Sequence, residues 1–367
     1  MSTYPIQIRA AHSRASHILA RLMQILLTIG LISGLVGCGT GENSLAGTSP
    51  DAKTGERHFP TIALMLDWTA NTNHVGVFVA QKRGFYHLAG VNVQILPTAT
   101  SGTDRAVETG VADLGFTTLS NVAAADSRGS HLQMVFNLLQ KPTARWCALA
   151  SRKDIRSPKD FSGKTFVSFG SDEQTAVVKR MIAHAGGKPT FQTATSGTST
   201  FSTLAAGKGD FAGFYDTWEG VESRLLGPKL RCYKAADYGV PGNPDQIGIA
   251  ATSSWISSHR ETLSRFVTAT QKGYRWALTH PSEAAQILVE SNKQAGIDLR
   301  LAKASMEEIV RRKYWGTQEQ IGHFNLTDAQ EYLDFLAKAG VYSTKNGGNG
   351  RKPNARALVV DDFLEQQ

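Results

Sequence analysis

The sequence lacks the short motifs by which many enzymes and metal-binding proteins are recognised. It contains no G-x-S-x-G turn, no H-E-x-x-H segment, no P-loop and no C-x-x-C pair. Its ten histidines are scattered without the spacing that metal ligands show. We therefore predict no catalytic residues, no cofactor and no metal site.

Basic clusters are also missing, although the formal net charge is +8. Lysines and arginines are mixed with acidic residues along the chain, and no basic block is interleaved with aromatic residues. Such a surface favours solubility over nucleic-acid binding, so we expect no nucleic-acid partner.

Acidic residues are absent from positions 1–37, which carry three arginines. The apolar run 22–36 is too short, at about 15 residues, to span a bilayer stably. A basic start, a short apolar run and small residues behind it are typical of a secretory signal. The sequence Leu35-Val36-Gly37-Cys38 resembles the lipobox of bacterial lipoproteins, which implies a signal peptide over 1–37 and a lipid on Cys38. An uncleaved anchor, or an ordinary signal with an incidental cysteine, is the alternative.

The segment 38–57 is rich in Gly, Thr, Ser, Asn, Asp and Lys. Such a composition cannot bury a core, so we expect a flexible tether with a reach of roughly 25 Å. The body that follows, about 310 residues long, is large enough for two lobes.

Cysteine is scarce, with three residues in the whole chain. Beyond Cys38 only Cys147 and Cys232 remain. Outside the cytoplasm they can pair, but two buried free thiols are the commoner outcome in a large domain, so we expect free thiols and keep the disulfide as the alternative.

Strand-like and helix-like patterns alternate through the body, which predicts an α/β fold with mainly parallel sheets. Ser171 and Gln174 have the spacing of a capping box at the start of a helix. After about Trp255 the pattern becomes helical, which predicts an α-rich C-terminal end. We predict strands over 61–66, 91–96, 113–116, 132–139 and 164–169.

A short pattern occurs twice, first from Gly110 through Asp113 to Phe116 and again from Gly207 through Asp210 to Phe214. In each copy we expect a helix to end at the glycine, the aspartate to lie in a turn, and an apolar strand to enter a sheet. The repetition suggests two similar lobes.

Four segments carry a more specific resemblance: 66–95, 142–182, 209–227 and 261–288. They resemble the binding proteins for pyrimidine precursors of thiamine, which are solute-binding lipoproteins of ABC transporters related to the sulfonate and nitrate binders. The resemblance implies a two-lobed periplasmic-binding fold of type II with a ligand cleft between the lobes. It places residues 58–148 and 250–342 in the first lobe, 149–249 in the second, and 343–367 in a C-terminal tail.

The chain departs from the family pattern at two places near the expected cleft. Ala70 stands where a proline is common. Gly242-Asn243-Pro244-Asp245 replaces a more usual aromatic-bearing segment. Both departures leave the identity of the ligand open.

The loop from Asp67 to His74 follows a predicted strand, and α/β folds bind ligands at the carboxyl ends of their strands. Trp68 offers a flat face for stacking on a heteroaromatic ring, although a core tryptophan is the alternative. Asn71 is either a helix cap or a ligand donor. His74 is either a ligand donor or a structural histidine.

Further candidates follow other strand ends. Glu173 lies in the first turn after Ser171, where the helix dipole alone explains a negative charge. The resemblance also implies that its carboxylate accepts a hydrogen bond from an exocyclic amino group of the ligand. Tyr215 is a candidate aromatic wall of the ligand cleft. Trp218 either forms part of the same wall or packs its helix on the sheet. Glu219 is a second candidate acceptor, and Thr118 offers a hydroxyl.

The resemblance implies a non-enzymatic binding protein that closes on its ligand and delivers it to a permease and its ATPase subunit. We expect a monomer held at the extracytoplasmic or periplasmic face by the lipid on Cys38. A sulfonate, nitrate or riboflavin binder of the same fold is the alternative. A pyrimidine-synthase-like enzyme is disfavoured, because the cysteine-rich CCCFC stretch of the fungal and plant enzymes is absent here.

Overall fold

The computed structural model describes residues 58–342 and 352–364. The predicted signal peptide, the predicted lipidation site Cys38 and the predicted tether lie outside the described residues, as does much of the predicted tail. Two five-stranded sheets organise the described chain, which confirms the two-lobed α/β fold.

The first lobe is built on a sheet with the strand order β2-β1-β3-β10-β4. Strands β1 and β2 pair in parallel, as do β1 and β3, whereas β10 runs antiparallel between β3 and β4. The strands are β1 Thr61–Met65, β2 Asn92–Leu96, β3 Leu114–Thr118, β4 Leu132–Asn137 and β10 Ile247–Thr252.

The second lobe repeats this arrangement with the order β7-β6-β8-β5-β9. Here β6 pairs in parallel with β7 and β8, and β5 runs antiparallel between β8 and β9. The strands are β5 Ala144–Leu149, β6 Thr165–Ser168, β7 Gln192–Thr195, β8 Phe211–Tyr215 and β9 Leu230–Tyr233.

The two aspartates of the repeated sequence pattern make equivalent hydrogen bonds in the two sheets. Asp113 Oδ2 accepts the backbone N–H of Ala63 at 2.8 Å, immediately before β3 begins. Asp210 Oδ2 accepts the backbone N–H of Thr165 at 2.7 Å, immediately before β8 begins. Each carboxylate thereby ties a turn to the neighbouring parallel strand.

The chain crosses between the lobes twice, through 138–143 and 234–246. The first crossing precedes β5, so the first lobe ends before this strand and not at residue 148 as predicted. Pro142 has no N–H to contribute to a ladder and breaks the extended run, so the strand that follows it can join the other sheet. Likewise β10 begins at Ile247, a little before the predicted return at residue 250.

Helices cover both sheets and dominate the C-terminal half, as predicted. On α9 the predicted apolar face is buried, including Leu263, Phe266 and Tyr274. The helices are α1 Val75–Lys82, α2 Phe85–Leu88, α3 Thr103–Glu108, α4 Leu119–Asp126, α5 Asp172–His184, α6 Thr200–Ala205, α7 Glu219–Leu225, α8 Ser253–Ser258, α9 Arg260–Thr279, α10 Pro281–Ser291, α11 Leu299–Arg312 and α12 Leu326–Lys338.

Close packing between α1 and α9 positions the loop that follows β1. A Cβ on Gly76 would lie 2.3 Å from the ring of Tyr274, so only glycine admits this ring against α1. The Tyr274 hydroxyl then donates to the backbone carbonyl of Asn73 at 2.6 Å. Helix packing therefore fixes Asn73, which lies at the cleft.

Residues 352–364 of the predicted tail pack on the first lobe. Val359 forms a parallel bridge with Met134, and Val360 N–H donates to the carbonyl of Met134 at 2.8 Å. Phe363 and Leu364 are buried. The apolar residues of this segment thus extend the core.

The helix α5 begins at the predicted cap but without the predicted box. Ser171 accepts the backbone N–H of Gln174, as expected of an N-cap. The Gln174 side chain, however, accepts from the Ser168 hydroxyl at 3.1 Å. Gln174 therefore braces the end of β6.

Cys147 and Cys232 form a disulfide, contrary to the expectation of free thiols. The two residues face each other across the β5–β9 pair. This register arises from tertiary pairing over 85 residues of sequence, so cysteine counting alone could not reveal it.

The disulfide closes a long loop and should stabilise the second lobe. Replacing both cysteines, Cys147→Ala with Cys232→Ala, is expected to lower the free energy of unfolding by about 2–4 kcal/mol, measured by denaturant titration. Wild-type protein in reductant should show a comparable loss. Equal stability of the oxidised wild type and the double variant would contradict this role.

Candidate functional site

Two small cavities lie side by side where the lobes meet. The first has a volume of about 100 Å³ and the second about 80 Å³. Phe169, Gly213, Phe214 and Tyr215 line both. The first is also lined by Thr118, Asn121, Ala144, Trp146, Ser171, Glu173, Gln174, Val177, Pro244, Asp245 and Tyr332. The second is also lined by Trp68, Asn71, Asn73, Thr200, Trp218 and Glu219.

The loop after β1 is held by a chain of hydrogen bonds that begins at Asp67. Asp67 Oδ1 lies 2.8 Å from His74 Nε2, and His74 Nδ1 accepts the backbone N–H of Asn71 at 3.2 Å. His74 is 1 % exposed and lines neither cavity. Its two ring nitrogens are engaged by the protein, so we remove His74 from the candidate ligand contacts and assign it a structural role.

Asn71 is a helix cap, the first of its two predicted alternatives, and it also lies at the cleft. Its side-chain oxygen accepts the backbone N–H of Asn73 at 2.8 Å and caps the short helical turn Thr72–His74. Asn71 also lines the second cavity. The cap therefore places polar atoms at the cleft wall.

An aromatic contact joins the two lobes at the second cavity. Trp68 of the first lobe meets Phe169 of the second edge-to-face, with ring centroids 5.9 Å apart. Trp68 is partly exposed and lines the cavity, so it is not a core tryptophan. Phe169 follows the carboxyl end of β6 and is 38 % exposed, which is unusual for a large apolar side chain.

A hydrogen-bonded carboxyl group joins the lobes at the first cavity. Glu173 of the second lobe accepts from the Ser120 hydroxyl at 2.7 Å and from the Tyr332 hydroxyl at 2.6 Å, both from the first lobe. Burial raises the pKa of Glu173 to about 7, against the lowering effect of these two hydrogen bonds. Nearby, Thr118 caps α4 by accepting the backbone N–H of Asn121 and lines the same cavity.

The start of α7 supplies a second, partly buried carboxyl group. Glu219 Oε2 accepts the backbone N–H of Tyr215 at 3.1 Å, and burial raises the pKa of Glu219 to about 7. Tyr215 lines both cavities, whereas Trp218 and Glu219 line the second. The predicted aromatic wall and acceptor are therefore placed together.

Two buried polar atoms at the cavities have no hydrogen-bond partner in the described chain. Trp146 is 3 % exposed, and its indole Nε1 donates to no protein atom. Asn73 is 8 % exposed, and its Oδ1 accepts from none. Buried polar groups in native proteins are generally paired, so one donor in the first cavity and one acceptor in the second await a ligand or water.

The charged residue types that line the two cavities are all acidic among the described residues. No lysine, arginine or histidine is among the described residues that line either cavity. Three carboxyl groups do line them, those of Glu173, Glu219 and Asp245, and burial raises the pKa of each. The cleft therefore suits a ligand that donates hydrogen bonds or carries positive charge.

Seven of the eight predicted ligand residues line the cavities, and His74 lines neither. Sequence reasoning missed Phe169, although it follows a strand end like the other candidates. It also missed Trp146, which lies in a strand interior, and Tyr332, which lies on a late helix, and no local pattern marks these two. Asp245 belongs to the departure from the family pattern noted near the expected cleft, but it was not named as a ligand residue.

Comparison with solved structures shows the fold of a solute-binding protein. The alkanesulfonate-binding protein SsuA from Xanthomonas axonopodis pv. citri bound to MOPS is similar with a TM-score of 0.63 at 12% identity, over 83% of this chain and 99% of that one. The Candida albicans CA3427 gene product is similar with a TM-score of 0.62 at 14% identity, over 84% and 99% of the two chains.

The chain belongs to the NMT1/THI5-like family, whose model matches residues 71–284. It is 25% identical over 258 residues to the formylaminopyrimidine-binding protein of Halalkalibacterium halodurans, over 70% of this chain and 78% of that one. It is 24% identical over 248 residues to the 4-amino-5-hydroxymethyl-2-methylpyrimidine phosphate synthase of Legionella pneumophila, over 64% and 74% of the two chains. The predicted family resemblance is confirmed.

The raised pKa of Glu173 predicts how stability varies with pH. A carboxyl group with a raised folded-state pKa holds its proton more tightly when folded, so its contribution is most favourable below the unfolded pKa and is lost as the pH rises through about 7. We expect the melting temperature of the unliganded protein to fall from about pH 5 to about pH 8, and Glu173→Gln to flatten this fall.

The exposed Glu283 of α10 lines neither cavity, so Glu283→Gln is the matched control and should keep the wild-type pH profile. An unchanged profile in Glu173→Gln would show that Glu173 does not titrate in this range.

Proposed function

We propose that this protein is a solute-binding protein for a small flat amino-bearing heteroaromatic compound, a pyrimidine precursor of thiamine, which it delivers to an ABC importer. The observation that carries the proposal is the lining of the cleft, where seven aromatic residues and three carboxyl groups meet and no basic residue is among the described lining residues. These aromatic residues are Trp68, Trp146, Phe169, Phe214, Tyr215, Trp218 and Tyr332.

An aminopyrimidine matches this lining in shape and in hydrogen bonding. Its flat ring suits stacking or edge contacts with Phe169 and Tyr215. Its exocyclic amino group is a donor for the carboxylate of Glu173 or Glu219, a charge-assisted contact. A ring nitrogen is an acceptor for the unpaired N–H of Trp146.

The same lining disfavours the alternative ligands. A sulfonate or nitrate needs convergent donors or positive charge, and no basic side chain is among the described residues that line the cavities. Riboflavin carries a three-ring system much larger than a pyrimidine, whereas the cavities measure about 100 and 80 Å³. The compact cleft therefore favours a single ring.

Lobe closure is the mechanism that the interlobe contacts support. The Trp68–Phe169 contact and the hydroxyl bonds of Ser120 and Tyr332 to Glu173 require the lobes to be together. A ligand that touches both lobes stabilises this closed arrangement, and a permease that prefers it receives the loaded protein.

We propose a binding role over catalysis. Several relatives are named as synthases, including that of Schizosaccharomyces pombe, 32% identical over 104 residues that make up 28% of this chain and 30% of that one. The CCCFC stretch of the fungal enzymes is absent here, and the relative from Halalkalibacterium halodurans is named as a binding protein.

The sequence supports a place outside the cytoplasm. The basic start, the short apolar run and the Leu-Val-Gly-Cys motif support a signal peptide and a lipid on Cys38. In this proposal the lipid holds a monomer beside its permease. Within the described residues, no helix has the length and apolar character to cross a bilayer.

A calorimetric panel tests the ligand class directly. Aminopyrimidines, thiamine, riboflavin, taurine and nitrate are titrated into the purified protein. We expect saturable binding of an aminopyrimidine and none of taurine or nitrate. Binding of the anions alone would overturn the proposal.

The role of Trp68 is tested by substitution. Trp68→Ala should weaken aminopyrimidine binding by about 30-fold, because it removes an aromatic wall, and should leave the far-UV circular dichroism unchanged. Trp255→Ala is the matched control, since Trp255 is also partly buried but lines neither cavity. Equal affinity of both variants and the wild type would return Trp68 to a structural role.

A further inference from the structure

The chain crosses between the lobes at 138–143 and again at 234–246. The second crossing contains a carboxylate that is hydrogen-bonded to the first. Asp245 Oδ2 accepts the backbone N–H groups of Thr143 and Ala144 and, at 3.0 Å, the Thr143 hydroxyl. Asn243 adds a hydrogen bond from its side-chain nitrogen to the carbonyl of Leu139 at 3.2 Å. The departure from the family pattern at 242–245 therefore forms the connection between the crossings.

The other oxygen of this carboxylate is unused by the protein. In the described chain, Oδ1 of Asp245 accepts no hydrogen bond, while Oδ2 accepts three. Asp245 is 3 % exposed and lines the first cavity beside Glu173 and Tyr332. An ionised carboxylate has about four acceptor positions, so Oδ1 keeps unused acceptor capacity at the cavity that Asp245 lines.

Among the described residues, no basic side chain forms an ion pair or hydrogen bond with Asp245. Arg145, the nearest candidate on β5, donates to the carbonyls of Pro142 and Ala144 and lies 3.6 Å from Asp216. The other titratable groups around the cavity are Glu173, Tyr215 and Tyr332, none of them a cation. The occupant of the cavity is therefore the available source of a donor for this oxygen.

We propose that Asp245 is a specificity-determining ligand contact that joins a donor group of the ligand to the crossing segments. The inference rests on the proposed function and deepens it, because it requires a ligand with an amino or protonated ring nitrogen in the first cavity. Oδ2 then accepts hydrogen bonds from the first crossing and from Ala144, and Oδ1 accepts a hydrogen bond from the ligand. A ligand bound in this way reinforces the same carboxylate that fixes the two lobes.

The test uses Asp245→Asn in the full chain. The asparagine oxygen can keep the bonds to Thr143 and Ala144, while its amide nitrogen presents a donor to the cavity. Calorimetry with 4-amino-5-hydroxymethyl-2-methylpyrimidine is expected to show at least about 10-fold weaker binding, since a buried hydrogen bond to a charged group is lost. The melting temperature of the unliganded variant reports whether the crossings remain joined.

Thr143→Val is the control for a purely structural role. It removes the hydroxyl bond to Oδ2 but lines neither cavity, so it should lower the melting temperature and change affinity less than about 3-fold. Wild-type affinity in Asp245→Asn would overturn the inference and leave the proposed function standing. Binding of taurine or nitrate alone by the wild type would overturn both.

Discussion

Burying a carboxyl group away from water is costly unless a donor or a cation compensates it. The cleft contains one buried carboxyl group, Asp245, and two partly buried ones, Glu173 and Glu219. Among the described residues the lobes give these groups neutral donors: the hydroxyls of Ser120 and Tyr332 to Glu173, and backbone N–H groups to Glu219 and Asp245. The remaining acceptor capacity makes the cleft rich in hydrogen-bond acceptors. That capacity is what a donor-bearing ligand would fill, and it makes ligand binding and lobe closure parts of one equilibrium.

The fold places these groups by repeating one arrangement. In each lobe the aspartate just before the third parallel strand accepts a backbone N–H of the first parallel strand. The parallel strands end at the cleft. Trp68 follows β1 of the first sheet and Phe169 follows β6 of the second, so their contact joins equivalent positions of the two lobes. The site is therefore a property of the pair of lobes, and neither lobe contains it alone.

Much of this could be predicted from sequence, because the informative residues are local. Apolar runs and turns located most of the strands. The strand-end rule together with the family resemblance pointed to Trp68, Glu173 and Tyr215, which line the cavities. Trp146 and Asp245 could not be found this way, since their importance comes from unpaired atoms that only tertiary packing reveals. The Cys147–Cys232 disulfide was missed for the same reason, because the register of β5 against β9 decides it.

A crystal structure with 4-amino-5-hydroxymethyl-2-methylpyrimidine tests the central claim most directly. The account predicts the ring between the lobes against Phe169 and Tyr215, with its amino group about 3 Å from a carboxylate oxygen of Glu173, Glu219 or Asp245. A ligand bound outside the cleft, or one whose amino group faces solvent while the carboxyl groups contact only protein, would contradict it.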